Sequence, residues 1–252
     1  RVPNDEFYDL QWHYGIIGLE QAWDLTTGLE PGNPEVVVAV VDTGVLLNHP
    51  DLDDQLLRSD GQVVGFDFIE DPARANDGDG IDPNPDDPGD EARSPDEGSF
   101  HGTHVAGTVA AESDNLIGVA GGFWQAELMP LRALGIDGGT TFDVMQAVRY
   151  AAGLSNVSGT VPPVRADIVN LSLGSDFYSE AEQATLNEAR SAGVFLVASA
   201  GNDAVTVPSY PASYDGVVSV SASTLSGGLA PYSNFGPLID VAAPGGDAST
   251  DL

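Results

Sequence analysis

Five short apolar runs, at residues 36–41, 128–131, 168–173, 194–198 and 217–220, alternate with stretches of helical character at 101–111, 142–152 and 179–192. A short run that is apolar on both of its faces must be covered on both, so these read as buried parallel strands. Strands alternating with helices then imply an α/β fold with a mostly parallel central sheet and helices on both faces. Groups that carry chemistry in such a sheet gather at the carboxyl ends of its strands. The stretch at 179–192 is well punctuated, with Ser179 to cap it, Glu182 three residues on as in a capping box, and Gly193 to close it. No internal repeat or linker interrupts the pattern, and residues 1–252 read as a single domain.

One segment stands apart. Residues 71–98 are rich in Asp, Asn, Pro and Gly and nearly free of apolar side chains. Burial there offers little to offset the entropy of ordering the chain, so the segment reads as an acidic loop insertion on the surface. Loops of that length inside a compact domain usually serve a function, and this one leads straight into a histidine-rich motif, so it is expected to border the functional site.

The formal net charge of −31 arises from 39 acidic residues against 8 basic ones, all of them arginine. Such a field repels nucleic acid and anionic membranes, which excludes both as natural partners and favours cations. No apolar run reaches the roughly 18 residues of a membrane helix. A solvated surface that keeps a secreted protein soluble accounts for the charge, and adaptation to high salt is the alternative. Without cysteine there is no disulfide framework, so an extracellular location would leave stability to the core and to bound ions. A start at Arg1 is expected of mature, secreted material from which a targeting segment has been removed.

Three motifs carry the chemistry. Val40-Val41-Asp42-Thr43-Gly44 ends the first apolar run and presents a carboxylate at a strand terminus. His101-Gly102-Thr103-His104-Val105-Ala106-Gly107-Thr108 opens a helix whose small residues Gly102, Ala106 and Gly107 would let it pack closely on the sheet. Ala198-Ser199-Ala200-Gly201-Asn202 closes the fourth run. A carboxylate on one nitrogen of an imidazole leaves the other free to take a proton from a nucleophile, so Asp42 is the candidate orienting acid and His101 the candidate base. The remaining histidines, His13, His49 and His104, read as structural, because no third ligand pattern supports a metal.

In these residues, and in Asn48-His49-Pro50-Asp51-Leu52, Asn170-Leu171-Ser172-Leu173-Gly174 and Asp240-Val241-Ala242-Ala243-Pro244-Gly245, the chain resembles the subtilisin-like serine proteases, in particular their thermitase-like branch. The resemblance implies a subtilisin-like three-layer fold and a secreted serine endopeptidase that cuts polypeptides with an Asp-His-Ser triad. It makes Asn202 the side-chain donor of an oxyanion hole, as against a mere support for the Gly201 turn. Substrate would lie extended between Gly138-Gly139-Thr140 and Ser172-Leu173-Gly174, with Ala198, Ser199, Ala200 and Gly201 walling the first specificity pocket. Walls this small and uncharged imply broad specificity with an apolar or aromatic bias. Phe142 either closes a further apolar subsite or belongs to the core.

The resemblance also implies calcium as a cofactor, held by Asp5, Asp51 and Asn115 with backbone oxygens near Ser113, Ile117 and Val119; hard oxygen donors are what that ion requires. A second candidate set is Asp77, Asp79 and Asp82 in the insertion, spaced loosely like a calcium loop but without its downstream glutamate. No Gly-Thr-Ser-Met-like serine motif follows the third motif, and Ser249 lacks its neighbours. The fold is therefore expected to stop before the serine-bearing helix. The serine would come from a carboxy-terminal segment outside the sequence, in a noncovalently held fragment if the enzyme is nicked near 247–252. The alternatives are a noncatalytic, calcium-stabilised binding domain, an inactive fragment, or a calcium-dependent adhesion surface on the acidic loop.

Overall fold

A computed structural model describes residues 1–28, 35–91 and 98–246. In chain order the elements are α1 (Trp12–Ile16), α2 (Leu19–Trp23), β1 (Val37–Asp42), β2 (Arg58–Ser59), β3 (Gln62–Val63), β4 (Phe66–Asp67), α3 (Pro72–Ala75), α4 (His101–Ala110), β5 (Glu127–Arg132), α5 (Thr141–Ala151), β6 (Ile168–Leu171), α6 (Glu180–Ser191), β7 (Phe195–Ser199), β8 (Val217–Ser223) and β9 (Val241–Pro244). All five expected strands form. β4 and β9 join them in a seven-stranded sheet of order β4-β5-β1-β6-β7-β8-β9, parallel at each pairing. β2 and β3 make a separate antiparallel pair.

The two-sided burial of β1 is direct. Val37, Ala39 and Val41 pack on one face with Val144, Ala147 and Val148 of α5 and Leu186 and Ala189 of α6. Val38 and Val40 pack on the other with Ala106 and Ala110 of α4. Alternate residues of one strand thus serve two cores, which is why the run shows no polar alternation. A third cluster, Tyr8, Tyr14, Trp23 and Ala120, seats α1 and α2 on the loop that follows α4.

Small residues at the start of α4 are a steric requirement. A Cβ on Gly102 would lie 2.1 Å from the Gly44 carbonyl oxygen and 3.1 Å from Asp42 Cβ, so only glycine lets the helix approach the end of β1. Gly107 differs from expectation: among the described residues a Cβ there meets nothing within 4 Å, so the packing does not require glycine at that position.

The capping box of α6 is half formed. The Ser179 hydroxyl accepts the Glu182 N–H at 3.5 Å, but Glu182 does not return to the Ser179 backbone. The Tyr214 hydroxyl stands between them, accepting the Ser179 N–H at 2.8 Å and donating to Glu182 Oε2 at 3.1 Å.

The insertion is not a plain surface loop. It contains α3, and its acidic and proline residues run back into the molecule: Pro85 and Asp87 are buried. The Val45 N–H donates to the Pro85 carbonyl and the Leu47 N–H to Asp86 Oδ1, at 3.1 and 3.0 Å. Hydrogen bonds tie the segment down, together with the burial of Ala75 and the packing of Ile81 against the core.

Candidate active site

The sheet order reverses at β1, because β5 lies on one side of it and β6 on the other. Loops leaving the carboxyl ends of these three strands diverge there and open a crevice, the place where open α/β sheets bind ligands. A cleft of about 650 Å³ occupies it, lined by Thr43, His101, the 134–141 loop, the 172–175 loop, Tyr210 and Pro211.

Asp42, the last residue of β1, is fully buried, and His101, the first of α4, is about half exposed in the cleft. Nδ1 of His101 lies 2.8 and 2.9 Å from the two carboxylate oxygens of Asp42. The Thr43 N–H also donates to Asp42 Oδ1, at 2.8 Å, and helps to fix the carboxylate. The hydrogen bond to Asp42 raises the His101 pKa above its ordinary value against the opposing effect of burial, and the charges of Asp42 and Asp90 add to the rise. Asp90 belongs to the insertion and lines the cleft. Its carboxylate accepts the Ser99 N–H and hydroxyl at 2.6 and 2.7 Å, and the Ser99 hydroxyl oxygen accepts the His101 N–H at 3.2 Å. The insertion therefore borders the site through residues that hold the start of α4.

Behind Asp42 lies a buried polar layer that periodicity does not reveal. The Thr43 hydroxyl donates to Asp87 Oδ2 at 2.6 Å and accepts the Gly102 N–H at 3.0 Å. Arg132, paired in register with Asp42, donates through Nε to the Thr43 carbonyl at 3.2 Å. Its guanidinium also meets Asp67, Asp77 and the Ala75 carbonyl. Burial pushes the Asp87 pKa up, opposed by its bonds to Thr43 and Gly89.

Gly138, Gly139, Thr140, Ser172, Leu173 and Gly174 line the cleft on its two sides. Ala198, Ser199, Ala200 and Gly201 are not among its lining residues; Ala198 and Ala200 turn into the core. Phe142 is 46% exposed on the first turn of α5, outside both the core and the cleft lining. The lining is also more acidic than the expected small, uncharged walls, since Asp90, Glu91, Asp137 and Glu182 contribute to it.

Asn202 is exposed in the turn after β7. That turn is held by Asn234, whose amide nitrogen donates to the Ala200 carbonyl at 2.9 Å and whose amide oxygen accepts the Asp203 and Val205 N–H groups at 2.9 and 3.3 Å. Gly201 sits at φ +105°, with a Cβ position only 2.5 Å from Asn234 Nδ2, so the close approach requires glycine. Sequence reading missed Asn234; its only signal is a polar residue flanked by Ser233 and Phe235.

Of the remaining histidines, Nδ1 of His49 accepts the Asp51 N–H at 3.3 Å, His13 packs its ring 4.2 Å from that of Tyr14, and His104 is exposed.

Asp5 and Asp51 are both buried beside the 113–121 loop. Asp51 accepts from the Asn115 amide and the Val119 N–H, both at 2.9 Å. Asn115 in turn accepts the Ile117 N–H at 2.8 Å, and the Ser113 hydroxyl accepts the Gly121 N–H at 3.0 Å. Asp5 Oδ2 accepts the Asp114 N–H at 2.9 Å, while Oδ1 is buried with no partner among the described residues. Carboxylate oxygens of Asp77, Asp79 and Asp82 lie within 4.8 Å of one another, and Asp77 also pairs with Arg132 at 2.9 Å. Ser249 and the region of the expected nick lie outside the described residues.

A profile described as the subtilase family matches residues 33–252. The extracellular protease of Xanthomonas campestris pv. campestris is 40% identical over all of this chain and 44% of its own length. Halolysin of Haloferax mediterranei is 40% identical over 97% of this chain and 40% of its own, and thermitase of Thermoactinomyces vulgaris 33% identical over 97% and 74%. The chain thus spans less than half the length of the first two. A solved structure from Pseudoalteromonas arctica, described among its proteases, superposes with a TM-score of 0.86 at 42% identity, over 97% of this chain and 73% of the other. The fold, the Asp42–His101 arrangement and these matches agree: the chain belongs to the subtilase family, within its thermitase-like branch.

Proposed function

We propose that this chain is the acid–base and substrate-binding part of a secreted serine endopeptidase. The observation that carries the reading is the contact of His101 Nδ1 with both oxygens of buried Asp42, which leaves Nε2 to take a proton at the head of the cleft. Asp42 fixes the ring and stabilises the imidazolium formed when His101 deprotonates a serine hydroxyl, and the same proton is later given to the leaving amine. A segment carboxy-terminal to residue 252 supplies that serine, in the same polypeptide or in a fragment held noncovalently. Asn202 donates to the oxyanion that develops in the transition state. An extended polypeptide lies between 138–140 and 172–174, whose backbones satisfy its own.

The orphaned Asp5 Oδ1 supports calcium beside Asp51, Asn115 and the carbonyls of Ser113, Ile117 and Val119, because a buried carboxylate oxygen without a hydrogen bond lacks a cation or donor. Asp77, Asp79 and Asp82 form a second oxygen-rich group suited to the same ion. Bound calcium would neutralise buried carboxylates and hold the loop after α4; the residues of that loop orient the donors.

The test is a fluorophosphonate probe on the full-length protein, followed by denaturing mass spectrometry. Labelling of a serine beyond residue 252 that is lost with His101→Ala supports the reading, and the mass of the labelled piece separates an intact chain from a nicked one. No labelling in folded protein overturns it in favour of a noncatalytic binding domain.

A further inference from the structure

We propose that Asp87, in the acidic insertion, is a positioning residue for the Asp42–His101 pair and acts through the Thr43 hydroxyl. The argument begins from a single side chain. Thr43 follows the orienting acid directly, and its hydroxyl both donates to Asp87 and accepts from Gly102, the second residue of the histidine helix. A hydroxyl has one proton. With that proton committed to Asp87 at 2.6 Å, its oxygen lone pairs are turned toward the Gly102 N–H. Asp87 is 3% exposed, and its other oxygen accepts the Gly89 N–H at 2.9 Å, so the carboxylate has little freedom to turn away.

The consequence is geometric. Thr43 is joined to Asp42 through its backbone N–H and to α4 through its hydroxyl, so it sets the separation between the strand end that carries the acid and the helix end that carries the base. Because Gly102 lies against the Gly44 carbonyl, helix and strand cannot close further, and the hydroxyl bridge keeps them from parting. Charge-assisted acceptance by a buried carboxylate strengthens that bridge. An element that looks like a decoration on the fold thereby reaches the reacting pair in two hydrogen bonds.

The kinetic part of this inference rests on the peptidase reading; the geometric part does not. The experiment uses the full-length protein with Thr43→Val, Thr43→Ser, Asp87→Asn and Asp87→Ala. For each, the His101 imidazole is titrated by NMR, kcat and KM are measured on a peptide substrate, and the melting temperature is recorded. Thr43→Val is expected to lower the His101 pKa toward its ordinary value and to lower kcat by about tenfold to 100-fold, with KM within about twofold, as misplacement of a catalytic group does. Thr43→Ser is expected to restore both, and Asp87→Ala to behave as Thr43→Val. Asp87→Asn, which keeps an acceptor, is expected to fall between. An unchanged His101 pKa in folded Thr43→Val and Asp87→Ala overturns the proposal. Loss of stability that Thr43→Ser and Thr43→Val share, without a difference in His101 pKa, likewise reduces Thr43 to a structural role. A wild-type protein without peptidase activity whose His101 pKa nevertheless falls in Thr43→Val would keep the positioning role and remove the peptidase reading.

Discussion

The amide of Asn234 spans the turn that carries Asn202, donating to the Ala200 carbonyl on one side and accepting the Asp203 N–H on the other, each at 2.9 Å. A single buried side chain thus holds the backbone on both sides of a residue 32 positions earlier in the sequence. If Asn202 is the oxyanion donor proposed above, Asn234→Ala is expected to lower kcat by an amount approaching that of Asn202→Ala, about 100-fold to 1,000-fold, because that donor must sit where the oxyanion forms. The double variant should be no worse than Asn202→Ala alone. A double-mutant cycle in kcat checks this; additive losses would mean that Asn234 acts elsewhere.

On the peptidase reading proposed above, activity of the full-length protein should rise with pH as His101 loses its proton. The hydrogen bond to Asp42, aided by the charges of Asp42 and Asp90, raises the folded-state pKa of His101 above 6.5, and only the neutral ring accepts a proton. The stabilising effect of that pair on the fold runs the other way: it is complete below the unfolded pKa and is lost as pH rises through the folded one. Asp90→Asn is expected to shift the acid limb of the kcat/KM profile to lower pH.

The pKa of Glu127, at the start of β5, is pushed up to about 7, first by burial and then by its hydrogen bond and repulsion with Glu35. Since the folded pKa exceeds the ordinary 4.5, stability is lost as pH climbs from about 4.5 through about 7. Glu127→Gln is expected to flatten that slope, as read from melting temperature against pH.

Arg132 and Asp67 are both wholly inaccessible to solvent and paired with each other. Burial already pushes the Asp67 pKa up to about 7 against the pull of Arg132, so Arg132→Ala is expected to leave Asp67 as a buried acid that must take up a proton, at a cost of up to about 3–5 kcal/mol. Urea denaturation measures the loss. Asp67→Asn in the same background is expected to recover part of it.

Calcium addition is expected to raise the melting temperature of the full-length protein, and chelation to lower it. Asp5→Ala should remove most of that dependence by deleting the orphaned oxygen. A calcium response unchanged in Asp5→Ala would place the ion elsewhere, with the 77–82 carboxylates next to be tested.

The parts of the fold legible in the sequence are those whose physics is local. β1 is apolar on both faces because two helix layers cover it, and Ser179 caps α6 because the orphan N–H groups lie within three residues. β4 has only two residues, and the Val241, Ala242 and Ala243 side chains of β9 are exposed, so neither strand carries a pattern that could announce it. Asp42 and His101 were legible as motifs, whereas their supports were not. Thr43–Asp87 and Asn234–Ala200 join positions 44 and 34 residues apart through polar atoms, and no periodicity records such a bond. The insertion reads as a plain surface loop for the same reason, since several of its anchors are carboxylates that look solvent-facing until a buried N–H or hydroxyl is placed opposite them.

A seven-stranded sheet with every pairing parallel contains no hairpin that can form early and guide the rest. Each neighbour must be brought in by a crossover, so closure entropy is lost before contacts repay it, and folding is expected to be slow. The site draws on the ends of β1, β5 and β6 and on a helix 59 residues from its acid, so it has no partly assembled form. A nascent or partially unfolded chain would therefore be inert, and the capacity for chemistry would arrive and depart together with the whole topology.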